Sequence, residues 1–198
     1  MFWDLTAPVY DLFADLYNKK VHESLCARIG QMINPADEVL ECACGTGMLS
    51  VCIAPRCKSL IATDLSRNML KRAEKKCLAY ANVKFREADI LHLDYPDQSF
   101  DKVLAANVIH LLEDPYAALR ELDRVCRRGG CLLIPTYVGR EGSGARLIKL
   151  LKKAGAGFQR QFNDSEYRRF FEEAGYKEAE YTRIDGRLPC IIACIKKK

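Results

Sequence analysis

The chain has 198 residues, which fills one globular core and leaves no room for a second full domain. Hydrophobic residues make up 49% and charged residues 29%, which excludes a disordered, collagen-like or coiled-coil chain, and no apolar run approaches the roughly 18–20 residues of a membrane span. The net charge of +5 falls to about +2 without Lys196, Lys197 and Lys198, and the basic pairs Lys75-Lys76, Arg127-Arg128, Lys152-Lys153 and Arg168-Arg169 are scattered, so no nucleic-acid partner is expected.

The first thirty residues are rich in aromatics and predict a leading helical segment over residues 6–29; acids rather than lysines open it, against a signal peptide. Residues 38–42, EVLEC, read as a buried strand, followed by the turn CGTG and a helix from about Met48 that Pro55 stops. A second strand covers residues 59–63 and ends at Asp64. Ser66 then caps a helix with Met69, Leu70, Ala73, Cys77 and Leu78 in one apolar stripe. Residues 83–85 form a third strand and residues 100–106 a fourth. Asp114-Pro115 opens a helix running to about Arg127, and Gly129-Gly130 turns the chain into a fifth strand, residues 131–137. Five glycines from Gly139 to Gly157 then bracket a basic helix over residues 145–154, within a small insertion, 138–162, above the sheet's carboxyl edge. Asp164 or Ser165 caps a helix over residues 166–174 that Gly175 ends, and residues 176–184 and 188–195 alternate about Asp185-Gly186 as a hairpin. Five strand-helix repeats and a closing hairpin predict an α/β fold: a doubly wound, mostly parallel sheet of seven strands, helices on both faces, ending antiparallel.

Ten cysteines need a role. Cys26, Cys52, Cys77, Cys126, Cys131, Cys190 and Cys194 fall inside apolar-patterned segments, where a free thiol packs as a small hydrophobe. Cys42-x-Cys44 and Cys52-x4-Cys57, together with His22, His92 and His110, complete no zinc-type spacing, so no metal is expected. Unpaired thiols in this number suit a reducing compartment, and a cytoplasmic location is expected.

In an open parallel sheet the ligand lies beyond the carboxyl ends of the strands, where the strand order reverses. The first such end is Glu41-Cys42-Ala43-Cys44-Gly45-Thr46-Gly47, an acid joined to a glycine turn that enters a helix. Glycines let backbone approach a ligand and a helix start offers amides to an anion, although such turns also serve simply for packing. Asp64 lies 17 residues after Gly47, where a carboxylate accepts both hydroxyls of a ribose, or else caps the next helix. Asp89 follows the third strand, as an acceptor for an exocyclic amine or as a solvated turn residue.

With the strings VLECACGTG, ATDLSRNML, ADILHLDYPDQSFDKVLAANVIHLLEDP and ELDRVCRRGGCLLI in this order from Val39 to about Ile134, the chain resembles the class I S-adenosylmethionine-dependent methyltransferases, in particular the group that includes the ubiquinone and menaquinone biosynthesis C-methyltransferases. The resemblance implies a Rossmann-like single domain, S-adenosylmethionine as cofactor and an acceptor methylated in line. It implies that Glu41, where an aspartate is common, helps hold the methionine amino group, with Cys42, Ala43, Gly45 and Gly47 lining the turn beside the methionine part. Asp64 would take the ribose diol, Leu65 and Met69 would pack near the adenine, and Asp89 with Ile90 would meet its amine end and face. Asn107 and Val108 would offer backbone at the methionine end and border the acceptor. Tyr10, like Tyr17, would cover the cofactor from the leading lid, residues 1–30, or pack within it. Ala43 departs from the family, which usually has glycine there.

A nicotinamide dehydrogenase fits less well, because Gly45-Thr46-Gly47-Met48-Leu49-Ser50 lacks the third glycine of G-x-G-x-x-G and Glu41 would face two phosphates with nothing to neutralise it. A noncatalytic cofactor- or partner-binding protein on the same fold is the second reading. After the fourth strand the chain has AANV rather than the D/N/S-P-P-Y/F string of nucleic-acid amino-methylating enzymes, and the insertion is short, so a small or medium-sized metabolite is the expected acceptor. His110 is the candidate general base, or a packing histidine, and the expected assembly is a monomer or homodimer.

Overall fold

The computed structural model describes residues 18–139 and 160–198; Tyr10, Tyr17, the start of the expected lid and the helix expected over residues 145–154 lie outside the described residues. In chain order the elements are α1 (Lys19–Gln31), β1 (Glu38–Cys42), α2 (Ser50–Ile53), β2 (Ser59–Asp64), α3 (Arg67–Lys76) and β3 (Val83–Glu87). They continue with β4 (Phe100–Ala105), α4 (Pro115–Val125), β5 (Cys126–Tyr137), α5 (Asp164–Glu173), β6 (Glu180–Ile184) and β7 (Cys190–Lys196). The strands form one sheet in the order β3-β2-β1-β4-β5-β7-β6, with β7 antiparallel to both of its neighbours and the rest parallel.

Central strands of such a sheet are covered on both faces, so they read as unbroken apolar runs rather than alternating ones. Val39, Leu40, Leu60 and Ala62 are accordingly all buried. One core lies between the sheet and α4 and α5, built around Leu119, Leu122, Tyr167 and Phe171; the other lies under α1, α2 and α3, around Leu25, Ile29, Ile53, Leu70 and Ala73. The start of α1 is anchored to the loop before β7, where Asn18 Nδ2 donates to the Leu188 carbonyl at 2.8 Å.

Several local expectations change. The turn after β1 holds the chain out of helical geometry until Ser50, so α2 is a single turn, and Pro55 sits inside the following 3-10 turn, Ala54–Arg56. Gly129-Gly130 does not connect a helix to a strand. It forms a bulge inside β5, which pairs Phe100 with Cys126 and then Lys102 with Cys131, while Gly129 N donates to the Lys197 carbonyl at 2.8 Å and keeps the kinked segment paired. An added Cβ at Gly130 would lie 2.7 Å from the Asp101 carbonyl oxygen, so the bulge needs glycine. In α3, Cys77 is already the C-cap, which leaves Leu78 beyond the helix and 84% exposed rather than on the buried stripe. Asn163, not Asp164 or Ser165, caps α5, through a reciprocal capping box with Glu166. Cys26 and Cys52 are not free packing thiols: α1 and α2 lie against the same sheet face and bring their Cα atoms to 5.7 Å, joined by a disulfide.

Candidate active site

The chain winds from β1 outward through β2 to β3, then crosses back to β4 on the other side of β1, so strand order reverses between β1 and β4. Beyond their carboxyl ends lies a cavity of about 60 Å³. Glu41, Ala43 and Gly45 line it from the β1 side, Ala106 and Asn107 from β4, and Tyr137 from β5. His22 and Leu25 of α1 close one side, and Cys44, Thr46, Met48 and Leu49 of the turn complete the wall.

Glu41 is 2% exposed, because β2 and β4 flank it with Ala62 and Leu104. Burial pushes its carboxyl up to about 8; the Ser50 hydroxyl, donating at 2.6 Å to Oε2, works against that rise, and the neighbouring charge of Asp64 adds to it. A buried acid of this kind becomes a favourable anion once a cation comes beside it.

Three left-handed residues at alternate positions shape the turn: Ala43 (φ 52°), Gly45 (φ 56°) and Gly47 (φ 78°). The two glycines differ in use. A Cβ on Gly45 would meet nothing within 4 Å, whereas one on Gly47 would lie 2.8 Å from the Ala73 Cβ, so Gly47 lets α3 pack against the turn. Asp64 braces the same turn: its Oδ2 accepts from Gly45 N and its Oδ1 from Ser66 N, both at 2.8 Å. Ser66 itself caps α3, accepting from Met69 N at 3.2 Å. Across the crevice Asn107 takes a left-handed φ of 53°, and its Oδ1 accepts from Tyr137 N at 2.9 Å, tying the ends of β4 and β5 together.

A family model described as a methyltransferase domain matches residues 40–134. The phosphatidylethanolamine N-methyltransferase of Cereibacter sphaeroides is 34% identical over 126 residues, which cover 62% of each chain. From β1 to β5 the chain is thus similar to methyltransferases. It spans 62% of that relative's length and about half the length of further curated relatives that are 30–33% identical. Among solved structures, a putative S-adenosyl-L-methionine-dependent methyltransferase of Methanococcus maripaludis matches with a TM-score of 0.74 at 20% identity, over 100% of this chain and 94% of that one. The [4+2]-cyclase SpnF also matches, with a TM-score of 0.72 at 18% identity over 88% and 80%, so the methyltransferase fold also carries another reaction.

Of the residues singled out in the sequence, Glu41, Ala43, Gly45 and Asn107 stand in the cavity wall. Asp64 joins them through Gly45. Cys42 is wholly buried in the core on the α4 side, and Gly47 is a packing residue one layer back. Leu65 is 47% exposed beside Asp64, while Met69 is buried in the first turn of α3. Asp89 accepts from Leu91 N at 2.9 Å in a tight turn after β3, with Ile90 packed into the core, as Val108 is after β4. His110 lies in the 3-10 turn Ile109–Leu111 and not in the cavity wall; part of the residue reaches the surface, but Nδ1 is buried, and burial pushes its imidazole down to about 4. Sequence reasoning missed His22, Leu25 and Tyr137 as wall residues. Tyr137 was findable as the carboxyl end of β5; nothing in the spacing of α1 marks His22 or Leu25.

The residues present fit S-adenosylmethionine. Glu41 suits a buried ammonium group, Gly45 leaves the turn open toward a ligand, and Asp64 brings to the same turn a carboxylate, a group that accepts from hydroxyls. At about 60 Å³ the cavity is well below the roughly 300–1,000 Å³ of whole-ligand pockets, so it suits the amino-acid end alone.

Proposed function

We propose that this domain binds S-adenosylmethionine at the tips of β1 and β4 and transfers its methyl group in line to a small or medium-sized metabolite. The supporting observation is the buried Glu41 carboxyl, held by Ser50 and facing the cavity: the site asks for a cation and is a poor seat for a pyrophosphate. In this reading Glu41 holds the amino group of the methionine moiety and the backbone from Ala43 to Gly47 runs beside it. Asp64 takes the ribose hydroxyls, Leu65, Met69 and Ile90 pack about the adenine with Asp89 at its amine end, and Asn107 and Val108 border the acceptor. When bound, S-adenosylmethionine supplies an electrophilic methyl carbon. The protein's part is to orient the acceptor against it and keep water out, an orientation effect of roughly 7–11 kcal/mol in favourable cases. His110, held neutral by burial, is a weak proton acceptor at neutral pH, and the reading assigns no general base. The domain is taken to work in the cytoplasm as a monomer or homodimer, without a nucleic-acid partner.

Calorimetry tests the reading. S-Adenosylhomocysteine binds in the micromolar range, NAD does not, and Asp64→Ala weakens the first at least tenfold; unchanged affinity in that variant removes the ribose assignment. The SpnF match favours one second reading, a cofactor-binding protein running a different reaction. Tight binding with no labelled methyl leaving S-adenosylmethionine across a broad acceptor panel is its signature.

A further inference from the structure

Eight of the ten cysteines are buried free thiols, and burial pushes up the thiols of Cys42, Cys44, Cys57, Cys77, Cys126 and Cys190. Those six thiols are inert. Cys26 and Cys52 are the two that keep partial exposure, and they are bonded to each other. The bond's position is specific. Cys26 follows Leu25 and lies one helical turn from His22, both in the cavity wall; Cys52 lies one turn beyond Met48 and Leu49, which also line the cavity. Both sulfurs converge on the Met48 carbonyl, at 3.7 Å from Cys26 and 3.5 Å from Cys52. His22 Nε2 lies 3.7 Å from the Cys26 sulfur.

We propose that Cys26 and Cys52 form a reversible thiol-disulfide site that sets cofactor affinity by fastening α1 to the glycine turn. The inference rests on the reading of the cavity as the S-adenosylmethionine site. With the bond formed, the His22–Leu25 side and the Met48–Leu49 side of the wall are fixed relative to each other before ligand arrives, and preorganised walls bind more tightly. With the bond open, Leu25 and Ile29 still pack and Asn18 still holds Leu188, so the fold persists while the wall loses its covalent tie. The oxidant is a low-molecular-weight disulfide such as oxidised glutathione. The Cys26 thiolate attacks one of its sulfurs, forming a mixed disulfide and expelling one thiolate; the Cys52 thiolate then attacks the Cys26 sulfur and expels the second. Two electrons pass from the two cysteines to the reagent, and their two protons end on the two small thiols released. A dithiol runs the exchange in reverse.

The test is calorimetry of the full chain with S-adenosylhomocysteine after equilibration with oxidised glutathione or with dithiothreitol, the bond state read by mass after thiol alkylation, with Cys52→Ser alongside. The oxidised chain should bind about fivefold or more tightly than the reduced chain, within the usual span of coupling between two sites. Cys52→Ser should match the reduced chain under both conditions, which also separates this bond from any oxidation at Cys131 and Cys194, whose sulfurs lie 2.8 Å apart. Equal affinity in the two states, with the bond shown to form and break, overturns the proposal and leaves the cofactor reading standing, and the wild-type comparison decides it even if the variant does not fold. A bond that never forms under glutathione overturns it too. Absence of binding in both states overturns the cofactor reading and this inference with it.

Discussion

Glu41 concentrates the chemistry of the site in one side chain. Its carboxyl is pushed from 4.5 to about 8, so between those values the unfolded chain has released a proton that the folded chain keeps. The stability of the ligand-free protein therefore falls as pH rises from about 4.5 to 8. Affinity for a ligand ammonium runs the other way: it needs the ionised carboxylate, so it climbs up to tenfold per pH unit until about 8. In Glu41→Gln both slopes should flatten; thermal unfolding and S-adenosylhomocysteine titrations across pH 5.5 to 8 measure them, and a wild-type protein with neither slope contradicts the assigned burial. The sequence placed Glu41 at a strand tip. It could not place the Ser50 hydroxyl nine residues on, or the β2 and β4 backbones that bury it, because these contacts exist only once the sheet closes. Ala43 shows the same limit: its identity was visible as a departure, but the left-handed φ of 52° that alanine must hold there, at a cost of about 1–2 kcal/mol, was not.

At the scale of elements, the glycine turn separates packing from binding. Gly47 is pressed against Ala73 of α3, so Gly47→Ala must push the helix away and should cost about 1–3 kcal/mol of stability. Gly45 faces open space, so Gly45→Ala meets no clash; it should unfold closer to wild type while losing cofactor affinity. Chemical denaturation and calorimetry on both variants separate the two, and the reverse order of stability losses contradicts the division of labour. Strand and helix periods were legible wherever local propensity and burial agreed, as in β1, β2 and α3. They misled where a tertiary partner decided: Gly129-Gly130 looks like a turn in isolation, and only pairing with β4, with Lys197 just past β7 bonded to the kinked segment, makes it a bulge within β5. Asn163 was passed over as a cap for Asp164 or Ser165 because all three are good capping residues, and the reciprocal bond with Glu166 settles the choice.

For the molecule as a whole, topology came through the sequence well. Alternating apolar strands and amphipathic helices permit few connections, and right-handed crossovers with a terminal hairpin leave the order β3-β2-β1-β4-β5-β7-β6 as a natural outcome. The reversal between β1 and β4 then fixes where a ligand sits before any side chain is considered. What crosses between distant segments was not legible: the Cys26–Cys52 bond joins residues whose spacing carries no pairing signal, and α1 enters the cavity wall only because it packs beside the turn. The most direct measurement of the central claim is a crystal structure of the full chain grown with S-adenosylhomocysteine. The account predicts density with the amino group beside Glu41, the ribose on Asp64 and the sulfur toward Asn107; an unfilled crevice, or a ligand seated away from the β1 and β4 tips, contradicts it.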